Sequence, residues 1–149
     1  MVLTFLALLL LTGGIMRNPA APSPNGEELA ATREADGAFA VTRHPVMWGI
    51  ALWALSHILL APDLRTLFFM GAMIVLALGG SAAQDHKKRE FLGEGWKVWA
   101  GKTSYFPQLS QLGQIRPVMW LVSLALWLAI SWLHLPLGGI PAGVWRWVG

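Results

Sequence analysis

The sequence predicts an all-α fold: a polytopic integral membrane bundle of about four transmembrane helices plus one interfacial amphipathic helix. Three observations predict it. The 149 residues are 55% hydrophobic and 13% charged, about half the charged fraction of a soluble domain. The apolar residues come in long blocks instead of short alternating runs. Nine tryptophans stand against one tyrosine, and two of them, Trp48 and Trp120, fall where apolar blocks begin, at the depth of a membrane's aromatic belts.

The blocks are residues 1–16, 45–61, 64–83 and 117–135. The last three approach the roughly 20 residues that cross a bilayer as helix. The first is short, lacks the basic start of a signal peptide and is followed by Arg17, so a reverse anchor or the remnant of a longer helix fits it better. If all four span, Arg17, Arg33, Arg43, Lys87, Lys88, Arg89, Lys97, Lys102 and Arg116 share one side, against Arg65 and Arg146 on the other. That bias places connectors 17–44 and 84–116 in the cytoplasm and both termini outside. Between blocks two and three, "APD" at 61–63 makes a tight outer hairpin, with Asp63 and Arg65 at the start of the next helix and a capping role expected there.

The first connector, with its prolines and small and acidic residues, reads as a mobile loop and then a short polar helical turn. In the second, Leu92, Trp96 and Trp99 recur at helical spacing beside Lys87, Lys88, Arg89 and Lys97, which predicts the interfacial helix. Gly93 and Gly95 weaken it and mark a break.

Absence of cysteine removes disulfides, iron–sulfur clusters and thiolate haem ligation. The small net charge of +3 on so apolar a chain points to an anionic lipid surface and not to nucleic acid. "GGSAAQDHKK" lacks the strand and lysine placement of a phosphate loop.

One motif is echoed. Pro-Val-Met-Trp occurs at 45–48 and 117–120, each time opening an apolar block. Proline at the first helical position loses no hydrogen bond, and tryptophan a turn later suits the headgroup depth. The four letters are accounted for by those preferences alone. Only the first copy carries a histidine, His44, between Arg43 and Pro45. Entering a membrane does not require an imidazole. At a helix start it can ligate a metal or hydrogen-bond a ligand; a helix cap or a lipid-phosphate contact is the plainer alternative, and both stay open.

"TRHPVMWGIALWALSH", followed by "KKREFLGEGWKVWAGKTSYFP", resembles the NnrU family of bacterial membrane proteins, closely over residues 40–107 and more loosely elsewhere. The resemblance implies a place in denitrification, in the production of nitrite and nitric oxide reductases, and the bacterial inner membrane as location. It also implies homology to 15-cis-zeta-carotene isomerase, a haem b membrane enzyme acting on a lipid-soluble substrate. The histidine of its R-H-P motif is a haem ligand, which would make His44 the iron ligand. Where that isomerase has a cysteine three residues earlier, this chain has Val41, so ligand switching through it is not available. Family members usually have further N-terminal helices with another functional histidine; the resemblance implies that residue 1 of this sequence would correspond to the inside of a middle helix.

A more distant resemblance is to isoprenylcysteine and phospholipid methyltransferases, which bind S-adenosylmethionine. Arg43-His44-Pro45, Gly49, Glu90, Gly95-Trp96, Trp99 and Pro107 follow that order, but the tyrosine usual after R-H-P is replaced by Met47 or Trp48. On either resemblance the expected cofactor-binding residues are His44, Arg43, Trp96 and Trp99, gathered in an aromatic-lined cleft where Arg43 pairs a propionate or carboxylate. A third expectation is a non-enzymatic assembly partner of respiratory or denitrification membrane complexes.

The other histidines rank lower. His57 follows His44 by 13 residues, about 20 Å along one helix, so the two cannot share an iron while that helix is continuous. His57 and His134 would lie in the same outer half of the membrane on different helices, the placement a bis-histidine haem between two helices would need; the plainer roles are a hydrogen bond from His57 to Ser56 or a facing backbone carbonyl and a place at the outer interface for His134. His86 belongs to the charge run "DHKKRE", and Glu90 and Glu94 read as a solvated helix face.

Overall fold

The computed structural model describes residues 1–15 and 25–148. They form six helices: α1 (Val2–Ile15), α2 (Gly26–Thr32), the single turn α3 (Ala38–Val41), α4 (Pro45–Leu60), α5 (Leu64–Lys102) and α6 (Pro117–Gly138). Two 3-10 turns, Leu109–Gln114 and Gly143–Arg146, precede and follow α6. Among the described residues there is no strand, as the all-α reading expects.

The long helices contact in the order α5, α4, α1, α6, while α2 covers the distal half of α5. Small residues set the closest approach. A Cβ on Gly49 would lie 2.7 Å from Leu11 Cγ and 2.8 Å from the carbonyl oxygen of Ala7, so α1 and α4 touch almost backbone to backbone. Between α1 and α6, Thr12 and Ser123 share a hydroxyl hydrogen bond of 2.8 Å, and Trp127 Nε1 donates to Thr4 Oγ1 at 3.0 Å.

Two helices, α5 and α6, are long and apolar enough to cross a membrane, fewer than the four expected. In each, only 11% of the apolar window is buried, unlike the core helix of a soluble protein. Over the described residues α1 has 14 residues and α4 has 16, about 21 and 24 Å at a 1.5 Å rise against a hydrocarbon core of about 30 Å. Pro62 and the cap that opens α5 stop α4 short. Asp63 is that cap: its carboxylate accepts from the Thr66 amide at 3.0 Å and from Thr66 Oγ1 at 2.8 Å. Those bonds, the amide's foremost, hold its pKa below the ordinary carboxylate value. Both prolines of the echoed motif stand in the first turn of their helices, α4 and α6.

The second connector differs from its expected form. Span three and the amphipathic segment are one helix, α5, interrupted at Gly93, whose φ of 47° and ψ of −122° are open to a residue without a side chain. The break falls where the glycines predicted it. The stripe Leu92, Trp96 and Trp99, however, does not face outward. Trp96 and Trp99 are each 1% exposed and pack with Ala30 and Phe39, with Leu92 and Ala35 at the margin. Helix α2 and Phe39 supply an apolar surface inside the protein, and the stripe is buried there. The polar turn expected after the first loop is α2; the loop itself, with Arg17, falls largely outside the described residues.

Candidate functional site

His44 ends the turn after α3 and stands at the N-cap position of α4 without a capping bond from its side chain, with Pro45 fixing the first helical φ behind it. Its side chain is 2% exposed. The chain around it is laced to the segment after α5. The Arg43 amide donates to Ser104 O at 2.7 Å and the Gln108 amide to Val41 O at 2.8 Å. Thr42 Oγ1 and Trp48 Nε1 both donate to Tyr105 O, at 2.7 and 2.8 Å. Two segments, 41–44 and 103–108, thus satisfy some of each other's polar backbone groups and hold Arg43 and His44 over α5.

There they meet Asp85. His44 Nε2 lies 2.6 Å from Asp85 Oδ1. Arg43 grips the same carboxylate, Nη2 to Oδ2 at 2.7 Å and Nε to both oxygens at 3.1 Å. Arg43 Nη1 donates onward to the carbonyl oxygens of Ala100 and Thr103, each at 3.2 Å. The paired Arg43 and Asp85 side chains are 10% and 11% exposed. Asp85 lies beyond the apolar run 64–83. Burial alone would raise its pKa, but hydrogen bonds from His44 and Arg43, together with the positive charge of Arg43, hold it below the ordinary 3.8. It is therefore a carboxylate, with lone pairs only to offer.

Tyr105, the chain's one tyrosine, closes the cluster. Its ring stands edge-on to His44 at a centroid distance of 5.6 Å. Its hydroxyl reaches Leu78 O at 2.8 Å and Ser81 Oγ at 2.9 Å on α5. Buried ion pairs contribute little net stability, so an Arg–Asp–His cluster in so apolar a chain is a candidate for function.

The expected site residues are brought together only in part. Arg43 and His44 meet, but through Asp85, and one Nη2 hydrogen is all that Arg43 keeps back from the bonds just described. Pairing it with a propionate or an amino-acid carboxylate would need Asp85 to let go. Trp96 and Trp99 line no cleft with His44; their rings pack in the α2–α5 cluster, where Arg33 stands 4.8 Å above Phe39 and 5.9 Å from Trp99. The proximate cause is again α2, which takes up the apolar stripe. His57 Nδ1 bonds Trp53 O and His134 Nδ1 bonds Ile130 O, both at 2.8 Å. They sit on α4 and α6, between which α1 is packed, so no paired histidine site forms from them. His86 is exposed beside Glu90. Among the described residues no group of three histidines and acids could hold a metal ion by itself.

Asp85 and Tyr105 are the functional candidates that sequence reasoning missed. A signal for Asp85 existed. A helical hairpin turning at Pro62 returns to the depth of His44 near Gly80, within about a turn and a half of Asp85. Nothing in the sequence announced Tyr105 beyond its being single.

The sequence model of the NnrU family, described as NnrU protein, matches residues 1–142. No curated protein and no solved structure matches the chain. The chain belongs to the NnrU family.

Proposed function

From membership of the NnrU family, we propose that this is a haem-binding protein of the bacterial inner membrane that works in denitrification, with His44 as the iron ligand. The observation that carries the reading is the buried imidazole of His44 backed by the Asp85 carboxylate at 2.6 Å. Metal-bound histidines have this support on the nitrogen away from the metal. The donor set thus fits the group: one imidazole, oriented from behind, in a protein without thiolates. Bound haem would supply an iron centre whose chemistry depends on its axial ligand and its surroundings.

The chain's own part is to hold that imidazole. Pro45 and the lacing of 41–44 to 103–108 fix the backbone, Asp85 fixes the ring and Tyr105 walls one side. In the proposed topology α4 and α6 start from the cytoplasmic side and Arg33, Arg43, Lys87, Lys97 and Lys102 stay there. His44 then meets its ligand at the inner headgroup level. A role in assembling nitrite and nitric oxide reductases, or an isomerase-like reaction on a lipid-soluble molecule, is compatible with such a centre. The S-adenosylmethionine reading has less support, because the Arg43 guanidinium that would take the amino-acid carboxylate is already bound to Asp85.

The test is a titration of the purified full chain with hemin. A Soret band should develop in the parent protein and in His57→Ala and His134→Ala, and fail to develop in His44→Ala. Binding that survives His44→Ala, or a parent that takes up no hemin, would overturn the proposal. Membranes of a strain lacking the chain should also show reduced nitrite and nitric oxide reductase activity, restored by the parent and not by His44→Ala.

A further inference from the structure

We propose that Asp85 is the positioning residue of this centre: clamped by Arg43, it keeps the His44 proton on Nε2 and so makes Nδ1 the nitrogen offered to a ligand. The identity of the ligand rests on the haem reading; the placement of the proton does not.

The geometry argues it in three steps. First, the 2.6 Å contact between His44 Nε2 and Asp85 Oδ1 needs a hydrogen, and an ionised carboxylate has none to give. The hydrogen is on the imidazole, at Nε2. Second, Asp85 cannot readily turn away. Arg43 holds both of its oxygens, and Arg43 is tied through Nη1 to Ala100 and Thr103. The clamp spans the approach to α4 and both ends of the second half of α5, and its members are nearly excluded from solvent, where such bonds are strengthened by the low dielectric. Third, the arrangement sets His44 apart from His57 and His134, the histidines within the apolar helices α4 and α6. His57 and His134 point Nδ1 at backbone carbonyl oxygens, those of Trp53 and Ile130. A carbonyl also only accepts, so these two rings carry the proton on Nδ1 and leave Nε2 free. The chain therefore holds histidines in opposite tautomers, and among these three the one with carboxylate support is the one in the R-H-P motif.

A consequence follows for the haem reading. A ligand approaching Nε2 of His44 would have to break the Asp85 contact and strand the Arg43 guanidinium. One approaching Nδ1 leaves the clamp whole and gains a more basic imidazole from the carboxylate behind it.

Nitrogen-15 NMR of the full chain in micelles, labelled at histidine and without haem, reads the tautomers directly. Assignment comes from single His→Gln replacements. His44 should show protonated Nε2 and unprotonated Nδ1, while His57 and His134 show the reverse. Protonated Nδ1 at His44, whether as the other tautomer or as imidazolium, overturns the proposal without any other variant having to fold. Asp85→Asn should lose the single-tautomer signature of His44 and leave His57 and His134 unchanged; an unaltered His44 spectrum there counts against Asp85. Where Asp85→Asn takes up hemin, the bound haem should have a higher reduction potential than in the parent, and an unchanged potential counts against Asp85. The two proposals fail separately. Tautomers as stated with no hemin uptake would end the haem reading alone, and hemin bound through His44 with the tautomer reversed would end this one.

Discussion

Replacing Asp85 by leucine should destabilise the protein by about 3–5 kcal/mol, the range for breaking one side of a buried ion pair. The size comes from what is left behind. Arg43 is 10% exposed at its side chain and would keep a full charge with Nε and Nη2 emptied of the contacts at 2.7 to 3.1 Å that now fill them. His44 Nε2 would lose its acceptor in a site where its side chain is 2% exposed. The partner change, Arg43→Met, should be milder at about 2–3 kcal/mol, because Asp85 keeps His44 as a donor. The double variant tests the cause. An apolar pair of similar volume has no stranded charge, so Arg43→Met with Asp85→Leu should fall short of the sum of the singles by about 2 kcal/mol, within the coupling range for residues in contact. Reversible unfolding of the full chain in mixed micelles, followed by tryptophan fluorescence, measures all four corners of the cycle. Additive losses, or an Asp85→Leu loss below about 1 kcal/mol, would mean that the cluster is solvated in the working protein and that its buried geometry is not the basis of the site.

Gly49→Ala should cost about 1–3 kcal/mol by forcing α1 off α4, since the added methyl meets the Ala7 carbonyl. Gly79→Ala, with nothing within 4 Å of the new carbon, should instead gain about 0.5–1 kcal/mol in helix propensity; the same unfolding measurement compares them, and equal effects would refute the packing argument. Thr12→Val combined with Ser123→Ala should reveal a coupling of about 0.6–1.7 kcal/mol for the hydroxyl pair between α1 and α6, read as non-additivity in the same assay. Asp63→Ala should fray the first turn of α5 and speed hydrogen exchange at the Thr66 amide. In the parent, the lowered Asp63 pKa means that its stabilising contribution is complete above the ordinary value of 3.8 and is lost as pH falls through the folded-state value. Thr66 protection should therefore drop only below about pH 4, and a drop near neutrality would contradict the cap.

How far the sequence could be read depended on the range of the interaction concerned. The proline starts of α4 and α6, the Asp63 cap and the break at Gly93 each depend on a few neighbouring residues, and their letters predict them. Trp96 and Trp99 show where local reading stops. Their spacing on α5 correctly announces an apolar stripe, but spacing does not say whether lipid or protein covers it. The choice is made by Ala30 and Phe39, more than fifty residues earlier, which bury both rings. The same limit explains Asp85. In "AAQDHKKRE" it looks like the first member of a solvated charge run, and His86, Lys87 and Arg89 beside it are indeed exposed. On a helix, though, neighbours in sequence point about 100° apart. The face shared by Ser81 and Asp85 is buried while the face of the next two residues is not. Placing Asp85 required that face and the hairpin depth together, and both had to be combined with a histidine forty residues away. The two Pro-Val-Met-Trp motifs differ for the same reason. Both begin helices, and the letters within them do that work. What distinguishes the first copy is that its flanking Arg43 and His44 meet a carboxylate from another helix, whereas Arg116 before the second copy only occupies the position before α6, with no capping bond from its side chain. A local motif becomes a candidate site through a residue that no local pattern contains.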